Sequence, residues 1–313
     1  MVVVRLRETG QSDKLKYMSR FTFAALAALL LSSAAAAQQV PGRDLLEFPL
    51  GLLADAPALS TRMPATLWNP AATVLSPGAR GNIGFAGLTT PKQQGVDLEM
   101  LGGSARIRGI TASLSYAQAG VNDILRTDTD PETQSGSVPY QTSLVSVGVA
   151  ATRAAYSFGA AARIRSAHFD TDQSRVFSFD VGVLANSVAG TPLRIGASTF
   201  LFSPSRSKEA ALYTAAADFP FYSRDTSVVV RGGYSISHTE GRGREDYVFS
   251  TASYHELDGS IGFAEVNAFG HSAQRLRLGI GLHHAGYNIA FGREDGAAGI
   301  AASYQVILTR TFR

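Results

Sequence analysis

The chain lacks cysteine, is poor in charge and has few long apolar runs. None of its 313 residues is cysteine, which excludes disulfide scaffolds, thiolate metal sites and cysteine nucleophiles. Charged residues make up 17% of the chain, against roughly 25% in soluble domains. After residue 37 no apolar run approaches the roughly 18 residues that a membrane-spanning helix needs. A helical membrane protein is therefore not expected.

The N-terminus has the pattern of a secretory leader. Arg20 precedes an apolar run from Phe21 to Leu31, and small residues follow as far as Ala37. A basic start, a short apolar core and an A-x-A site predict a signal peptide cleaved near Ala37. Residues 1–37 are thus read as a leader, with translation expected to begin at Met18.

The charge balance changes once the leader is set aside. The whole chain carries a formal charge of +3 with 28 basic and 25 acidic residues. The leader holds five of the basic and two of the acidic residues, so 23 of each remain. A neutral mature chain has no electrostatic attraction to phosphate, and no nucleic-acid partner is expected.

Period-2 alternation dominates residues 79–313. Segments rich in Val, Ile, Tyr, Phe and Thr are separated by Gly, Asp, Asn, Pro or Ser, which predicts an all-β fold. The pattern indicates about fourteen strands, within a range of twelve to sixteen. The candidate strands are 79–88, 94–101, 104–118, 140–151, 155–166, 175–186, 192–202, 210–220, 226–238, 246–256, 259–269, 274–284, 286–292 and 298–312.

The connections distinguish a membrane barrel from a soluble sandwich, because alternation alone fits both. Nearly every odd-numbered connection is longer than its even-numbered neighbours, and the longest is 119–139. This rhythm predicts a transmembrane antiparallel β-barrel. The last strand supports it, since Tyr304, Leu308 and Phe312 share one face. Aromatic residues near strand ends are expected to form interface girdles; these are Tyr140, Tyr213, Phe219, Tyr222, Tyr247, Phe269 and Tyr287.

An N-terminal motif precedes the first predicted strand. Asp55 and Ala56 are followed by Trp68-Asn69-Pro70-Ala71, and an Asn-Pro step favours a turn in which Asn69 is extended. This region resembles the N-terminal part of FadL-type and PorV/PorQ-like outer-membrane proteins. The resemblance implies a fourteen-stranded barrel in which residues 38–78 form a plug, with Asp55, Trp68, Asn69, Pro70 and Ala71 as plug residues.

Charged residues on the strands are candidates for lining the lumen. The predicted inward set is Asp97, Glu99, Arg163, Arg165, Asp180, Arg194, Asp218, Arg231, Arg275 and Arg277. Two interpretations stay open: a water-filled path with a mild preference for anionic or amphipathic solutes, or a network that neutralises itself. Arg106 and Arg108 break the pattern, which suggests a bulge at Gly109 or a position beyond the membrane edge.

No catalytic or metal-binding motif is found, and neither an enzyme nor a cofactor is expected. The FadL resemblance implies passive transport of small hydrophobic or amphipathic molecules through a barrel in the bacterial outer membrane. The alternatives are a PorV-like barrel that binds a secreted or surface protein, and a closed structural barrel. The expected partners are therefore outer-membrane lipid, a hydrophobic small molecule and a secreted protein.

Overall fold

The computed structural model describes most of the chain after residue 41. The described residues are 42–62, 67–91, 94–121, 124–127, 134–203, 210–224, 227–241, 243–268, 271–296 and 302–313. The predicted leader lies outside them. Within this part of the chain, no helix has the length and apolar character needed to span a membrane.

Fourteen strands form a closed antiparallel barrel, and this confirms the predicted fold class. In barrel order they are β1 (Gly81–Thr89), β2 (Val96–Ile107), β3 (Ile110–Val121), β6 (Tyr140–Arg153), β7 (Tyr156–Phe169), β8 (Asp172–Ala185), β9 (Arg194–Phe200), β10 (Leu212–Arg224), β11 (Val228–Thr239), β12 (Gly243–Tyr254), β13 (Leu257–Ala268), β14 (His271–His284), β15 (Tyr287–Glu294) and β16 (Ser303–Phe312). Two short strands, β4 (Leu125–Thr127) and β5 (Gln134–Ser137), pair with each other within the longest connection.

The barrel closes where the first strand pairs with the last. β1 pairs with β16 along its whole length, from Gly81 opposite Phe312 to Thr89 opposite Tyr304. Closure leaves no free sheet edge, which is the condition for placing strands in lipid. The start of β1 and the end of β16 therefore lie at the same end of the barrel, called here the turn end. The opposite end, which carries the connection 122–139, is called the loop end.

The outer surface is apolar over the middle of the strands, as the alternation predicts. Exposed large side chains include Leu114, Val147, Phe158, Phe177, Val248, Phe263, Ile280, Phe291 and Leu308. Leu114 and Phe263 are each 61% exposed. Side chains of this kind on an outward face fit the lipid-facing band of a transmembrane barrel.

The turn between the second and third strands lies further along the chain than predicted. Gly102 and Gly103 lie within β2, and the turn falls at Arg108-Gly109, where both residues have positive φ (51° and 87°). Two such residues form the tight hairpin turn whose twist matches the flanking strands. As a result Arg106 faces inward and donates to the carbonyl of Leu75 at 2.7 Å.

The β7–β8 connection is shorter than predicted. Asp170 has a positive φ of 53° and forms a tight turn, so the two strands extend to Phe169 and from Asp172. The next connection, 186–193, is longer than this turn although it lies at the turn end. Connection length does not separate the two ends elsewhere either, since 225–227 at the turn end and 240–242 at the loop end each span three residues.

Candidate functional site

Residues 42–62 and 67–80, called here the luminal segment, lie inside the barrel. Gly51 N–H donates to Gln305 on β16 at 3.0 Å, and the Tyr247 hydroxyl on β12 donates to Ala54 at 2.8 Å. Arg163 on β7 donates to the Leu67 carbonyl at 2.6 Å. These strands stand on different sides of the closed barrel, so the chain that contacts all of them occupies the lumen.

The luminal segment also supplies part of an apolar core. Its buried residues pack against inward side chains of several strands, and the cluster contains Leu45, Leu46, Leu50, Leu52, Leu53, Leu67 and Trp68 together with Leu88, Leu98, Met100, Leu144, Phe200 and Ile307. A fully buried leucine contributes about 1.5–3 kcal/mol relative to its exposure to water. Packing as well as hydrogen bonding therefore holds the segment.

The Asn69-Pro70 step sits in a notch made by wall glycines. Asn69 is extended (φ −135°, ψ 108°), and its side chain accepts the Ala71 N–H at 2.9 Å and donates to the Ala58 carbonyl at 2.7 Å. Gly159 and Gly182 pair across β7 and β8. A Cβ at Gly159 would overlap the Pro70 backbone, and one at Gly182 would overlap the Asn69 amide oxygen. The close approach therefore requires glycine at both positions.

Trp68 fixes the next part of the segment to the same wall. Its indole N–H donates to the Leu50 carbonyl at 2.9 Å, and its ring lies 5.1 Å from that of Phe200. Its own carbonyl accepts from Ser198 at 2.7 Å.

Beside Trp68, Arg163 Nε lies 2.6 Å from Asp180 Oδ2, and neither side chain is exposed to solvent. The Arg163 guanidinium also stacks over the Phe200 ring at 4.9 Å. A buried charge is tolerated only with a partner and hydrogen bonds, and here the partners join the wall to the segment. Arg165, also buried, lies 3.4 Å from the Thr142 hydroxyl.

Two cavities flank the luminal segment. The loop-end pocket has a volume of about 460 Å³ and is lined on the segment side by apolar residues, among them Phe48, Leu52 and Trp68, together with Asp44 and Glu47. The turn-end cavity is larger, at about 1150 Å³, and its lining is more polar. The two cavities share no described lining residue.

The wall of the loop-end pocket carries a neutral ion-pair network. Arg277 donates to both oxygens of Glu245 at 2.9 and 3.0 Å and to Glu294 at 2.7 Å. Arg275 contacts Glu294 at 2.9 Å. Two arginines thus face two glutamates, so the pocket combines apolar surface with hydrogen-bonding groups and no net charge from this network.

The turn-end cavity holds a cluster with an excess positive charge. Arg194 and Arg231 both bind the buried carboxylate of Asp218, the latter at 2.8 Å. On the segment, Arg62 Nε contacts Asp55 at 3.0 Å. Burial works to lower the pKa of Arg62 and the facing Asp55 carboxylate to raise it; the net shift is upward.

The structure divides the sequence-predicted lumen residues into two groups. Eight side chains face inward: Arg163, Arg165, Asp180, Arg194, Asp218, Arg231, Arg275 and Arg277. The prediction is wrong for Asp97 and Glu99, which share the exposed face of β2 with Leu101. On this strand the apolar face points inward, because Val96, Leu98 and Met100 pack in the core formed with the luminal segment.

Two predicted girdle residues also lie inside the barrel. Tyr247 is 1% exposed, and Tyr140 accepts the Gly42 N–H and donates to Asp44 at 2.6 Å. The position near a strand end could not reveal this, since inward and outward aromatics look alike there. Sequence reasoning also missed Glu245 and Glu294 as partners of the arginines, although both lie on inward phases of their strands.

The fold and its interior define a transmembrane barrel whose lumen is occupied by its own N-terminal segment. Among the described residues, no group of three or more His, Asp or Glu side chains could hold a metal ion.

Comparison with solved structures shows relatives of this fold among transport channels. The toluene transporter TodX of Pseudomonas putida is 9% identical, with a TM-score of 0.57 over 83% of this chain and 96% of that one. The toluene transporter TbuX of Ralstonia pickettii is 11% identical, with a TM-score of 0.55 over 84% and 100%. The CymD monoaromatic hydrocarbon channel is 10% identical, with a TM-score of 0.54 over 84% and 99%. No protein-family model and no curated protein matches the chain.

Proposed function

We propose that the protein is an outer-membrane channel of the FadL type for passive transport of small hydrophobic or amphipathic molecules. The observation that carries this proposal is the pair of cavities separated by a short part of the luminal segment. The loop-end pocket offers apolar surface beside a neutral polar network, and the turn-end cavity offers a wide polar space. A small apolar solute can bind in the first and leave through the second.

Several features support the location and the solute class. The apolar outer band and the predicted signal peptide fit a protein exported to the outer membrane. The neighbours in fold are two toluene transporters and a channel for monoaromatic hydrocarbons. The paired luminal charges weigh against an ion-selective pore, because most charges there already have a partner.

Transport would require the luminal segment to move or to loosen. Its Asp55, Trp68, Asn69, Pro70 and Ala71 would act as plug residues that hold the segment in place, and the ligand would pass on its less tightly bound side. In this mechanism the solute moves down its gradient and no energy source is needed. The same proposal includes a plug role for the luminal segment and cleavage of the leader near Ala37.

The absence of cysteine allows a direct test by a reversible tether. Leu53 and Gly279 are close enough for one, since a Cβ at Gly279 would lie 2.8 Å from the Leu53 Cβ, and a small shift brings the pair to disulfide geometry. The variant L53C/G279C in proteoliposomes is expected to conduct toluene when reduced and to lose most of that flux when oxidised. G281C/A290C, which links β14 to β15 within the wall, is the matched control and should conduct in both states.

A closed structural barrel is the second candidate, favoured by the buried Arg163–Asp180 pair and the apolar core that fill the lumen. It predicts no toluene flux from the wild-type protein or from the reduced L53C/G279C variant, and that result would overturn the channel. A PorV-like role with a secreted partner stays a prediction. Such a partner would be sought at the long connection between β3 and β6, which the structure describes only at residues 124–127 and 134–139.

A further inference from the structure

The boundary between the two cavities can be located residue by residue. On β12, Glu245 lines the loop-end pocket and Phe249 lines the turn-end cavity, while Tyr247 lies between them. On the luminal segment, Leu52 lines the first cavity and Asp55 and Ala56 line the second, before the chain borders the first cavity again at Pro57. The intervening Leu53 and Ala54 therefore face the same level of the barrel as Tyr247.

Small residues surround Tyr247 on the adjoining strands. Gly262 on β13 lies beneath its hydroxyl, where a Cβ would overlap the phenol oxygen. Gly279 on β14 and Gly292 on β15 approach the Leu53 side chain closely. Tyr247 is thus a large side chain among small neighbours, between Glu245 and Phe249 on β12. It spans the space from the wall to the luminal segment at Ala54.

One hydrogen bond, two ring contacts and burial in an apolar cluster with Ala56, Ala58 and Leu59 hold the ring in this position. The hydroxyl donates one hydrogen bond to the Ala54 carbonyl, at 2.8 Å. The ring stacks on Phe249 with centroids 5.5 Å apart, and the Arg277 guanidinium lies 4.8 Å from its centroid. One neutral hydrogen bond contributes about 1 kcal/mol. A passing apolar solute can make contacts with Phe249 and Arg277 that replace those of the displaced ring.

We propose that Tyr247 is the gate between the loop-end pocket and the turn-end cavity, and that a small uncharged solute passes by displacing its ring from Ala54. The solute class rests on the proposed function, whereas the position of the barrier rests on the contacts alone. Glu245 and Arg277 would guide the solute to the ring from one side, and Phe249 would receive it on the other. The proposal gives Tyr247 a role in solute selection, whereas the sequence analysis predicted that it lies in an interface girdle.

The test is the permeability of proteoliposomes to the pentose arabinose, measured by osmotic swelling. Tyr247→Ala is expected to raise the swelling rate several-fold, because removal of the ring joins the two cavities. Tyr140→Ala is the matched control: it also removes a tyrosine hydrogen-bonded to the luminal segment, but at the loop end and outside the barrier. Its swelling rate should remain that of the wild type.

Tyr247→Phe keeps the ring and tests the gate if the alanine variant does not fold. Loss of its hydrogen bond should raise the frequency of open events in planar bilayers about fivefold, the equilibrium equivalent of one ordinary hydrogen bond. A folded Tyr247→Ala variant with the swelling rate of the wild type would overturn the gate. If that variant does not fold, a wild-type frequency of open events in Tyr247→Phe would overturn it. An equal rise in Tyr140→Ala overturns it too. The proposed function is tested separately, by the toluene flux through the wild-type protein.

Discussion

The luminal segment meets two walls of the barrel in different ways. Against β7 to β9 it has a glycine notch for Asn69-Pro70, a buried ion pair beside Trp68 and hydrogen bonds to consecutive backbone carbonyls. Against β12 to β15 it has apolar packing with Tyr247, Phe249 and Ala264, van der Waals contact with glycines and one hydroxyl bond from Tyr247. The segment therefore has a buried ion pair and several hydrogen bonds on one side but mainly apolar packing on the other, which indicates where a passage can open.

The largest effect is expected from the buried ion pair on the side of β7 to β9. Asp180→Ala leaves the Arg163 charge without its carboxylate in a site closed to water. Removing one partner of such a pair costs about 3–5 kcal/mol. The midpoint of urea unfolding, followed by heat-modifiable gel mobility, should fall strongly. A midpoint equal to the wild type would mean that the pair does not anchor the segment.

The glycine notch should give the next largest effect. Gly182→Ala places a methyl group against the Asn69 amide oxygen, and overpacking of this kind costs about 1–3 kcal/mol. We expect faster proteolysis of the luminal segment in the folded barrel. Gly259→Ala on β13 is the control, because a Cβ there meets nothing within 4 Å. Equal protection of the two variants would contradict the notch.

A smaller loss of stability is expected on the side of β12 to β15. Tyr247→Phe removes one neutral hydrogen bond and should lower the free energy of unfolding by about 0.5–1.5 kcal/mol. The comparison between the walls requires this loss to be well below that of Asp180→Ala in the same unfolding assay. A loss as large as that of Asp180→Ala would show that both sides anchor the segment equally.

The smallest effect is expected outside the lumen. Asp246 on the outer surface binds Arg244, which is 52% exposed in its side chain. Exposed pairs of this type contribute little because solvent screens them. Asp246→Ala should change neither the unfolding midpoint nor the arabinose permeability. A change in permeability would mean that Arg244, which borders the loop-end pocket, takes part in the solute path.

Much of the barrel could be predicted from sequence because its two faces contact different media. Leu278 and Ile280 alternate with Arg277 and Gly279 along β14, and this pattern predicts both the strand and its orientation. The Asn69-Pro70 turn was also predictable, since proline restricts the residue before it. The extended Asn69 that accepts the Ala71 N–H confirms this local chemistry.

The errors share one physical cause. Asp97 and Glu99 were assigned inward on the rule that a barrel interior is polar, but β2 turns Leu98 and Met100 inward to pack against the luminal segment. Tyr247 was assigned to the membrane interface by a different rule, that aromatic residues near strand ends form girdles, and this rule also fails where the lumen holds an apolar segment. A lumen filled by an apolar segment reverses the polarity rule on the strands that contact it, and alternation alone does not show which strands those are.

The sequence by itself determined the strand count, the closed barrel class, the apolar outer face and the turn at Asn69-Pro70, because each depends on neighbours in the chain. Only the tertiary structure decided which carboxylate pairs with which arginine, where glycines admit the luminal segment and that Tyr247 lies between two cavities. Those features join residues such as Ala54 and Tyr247 that lie 193 positions apart. Such contacts depend on strand register and on the path of the segment, which local patterns do not encode.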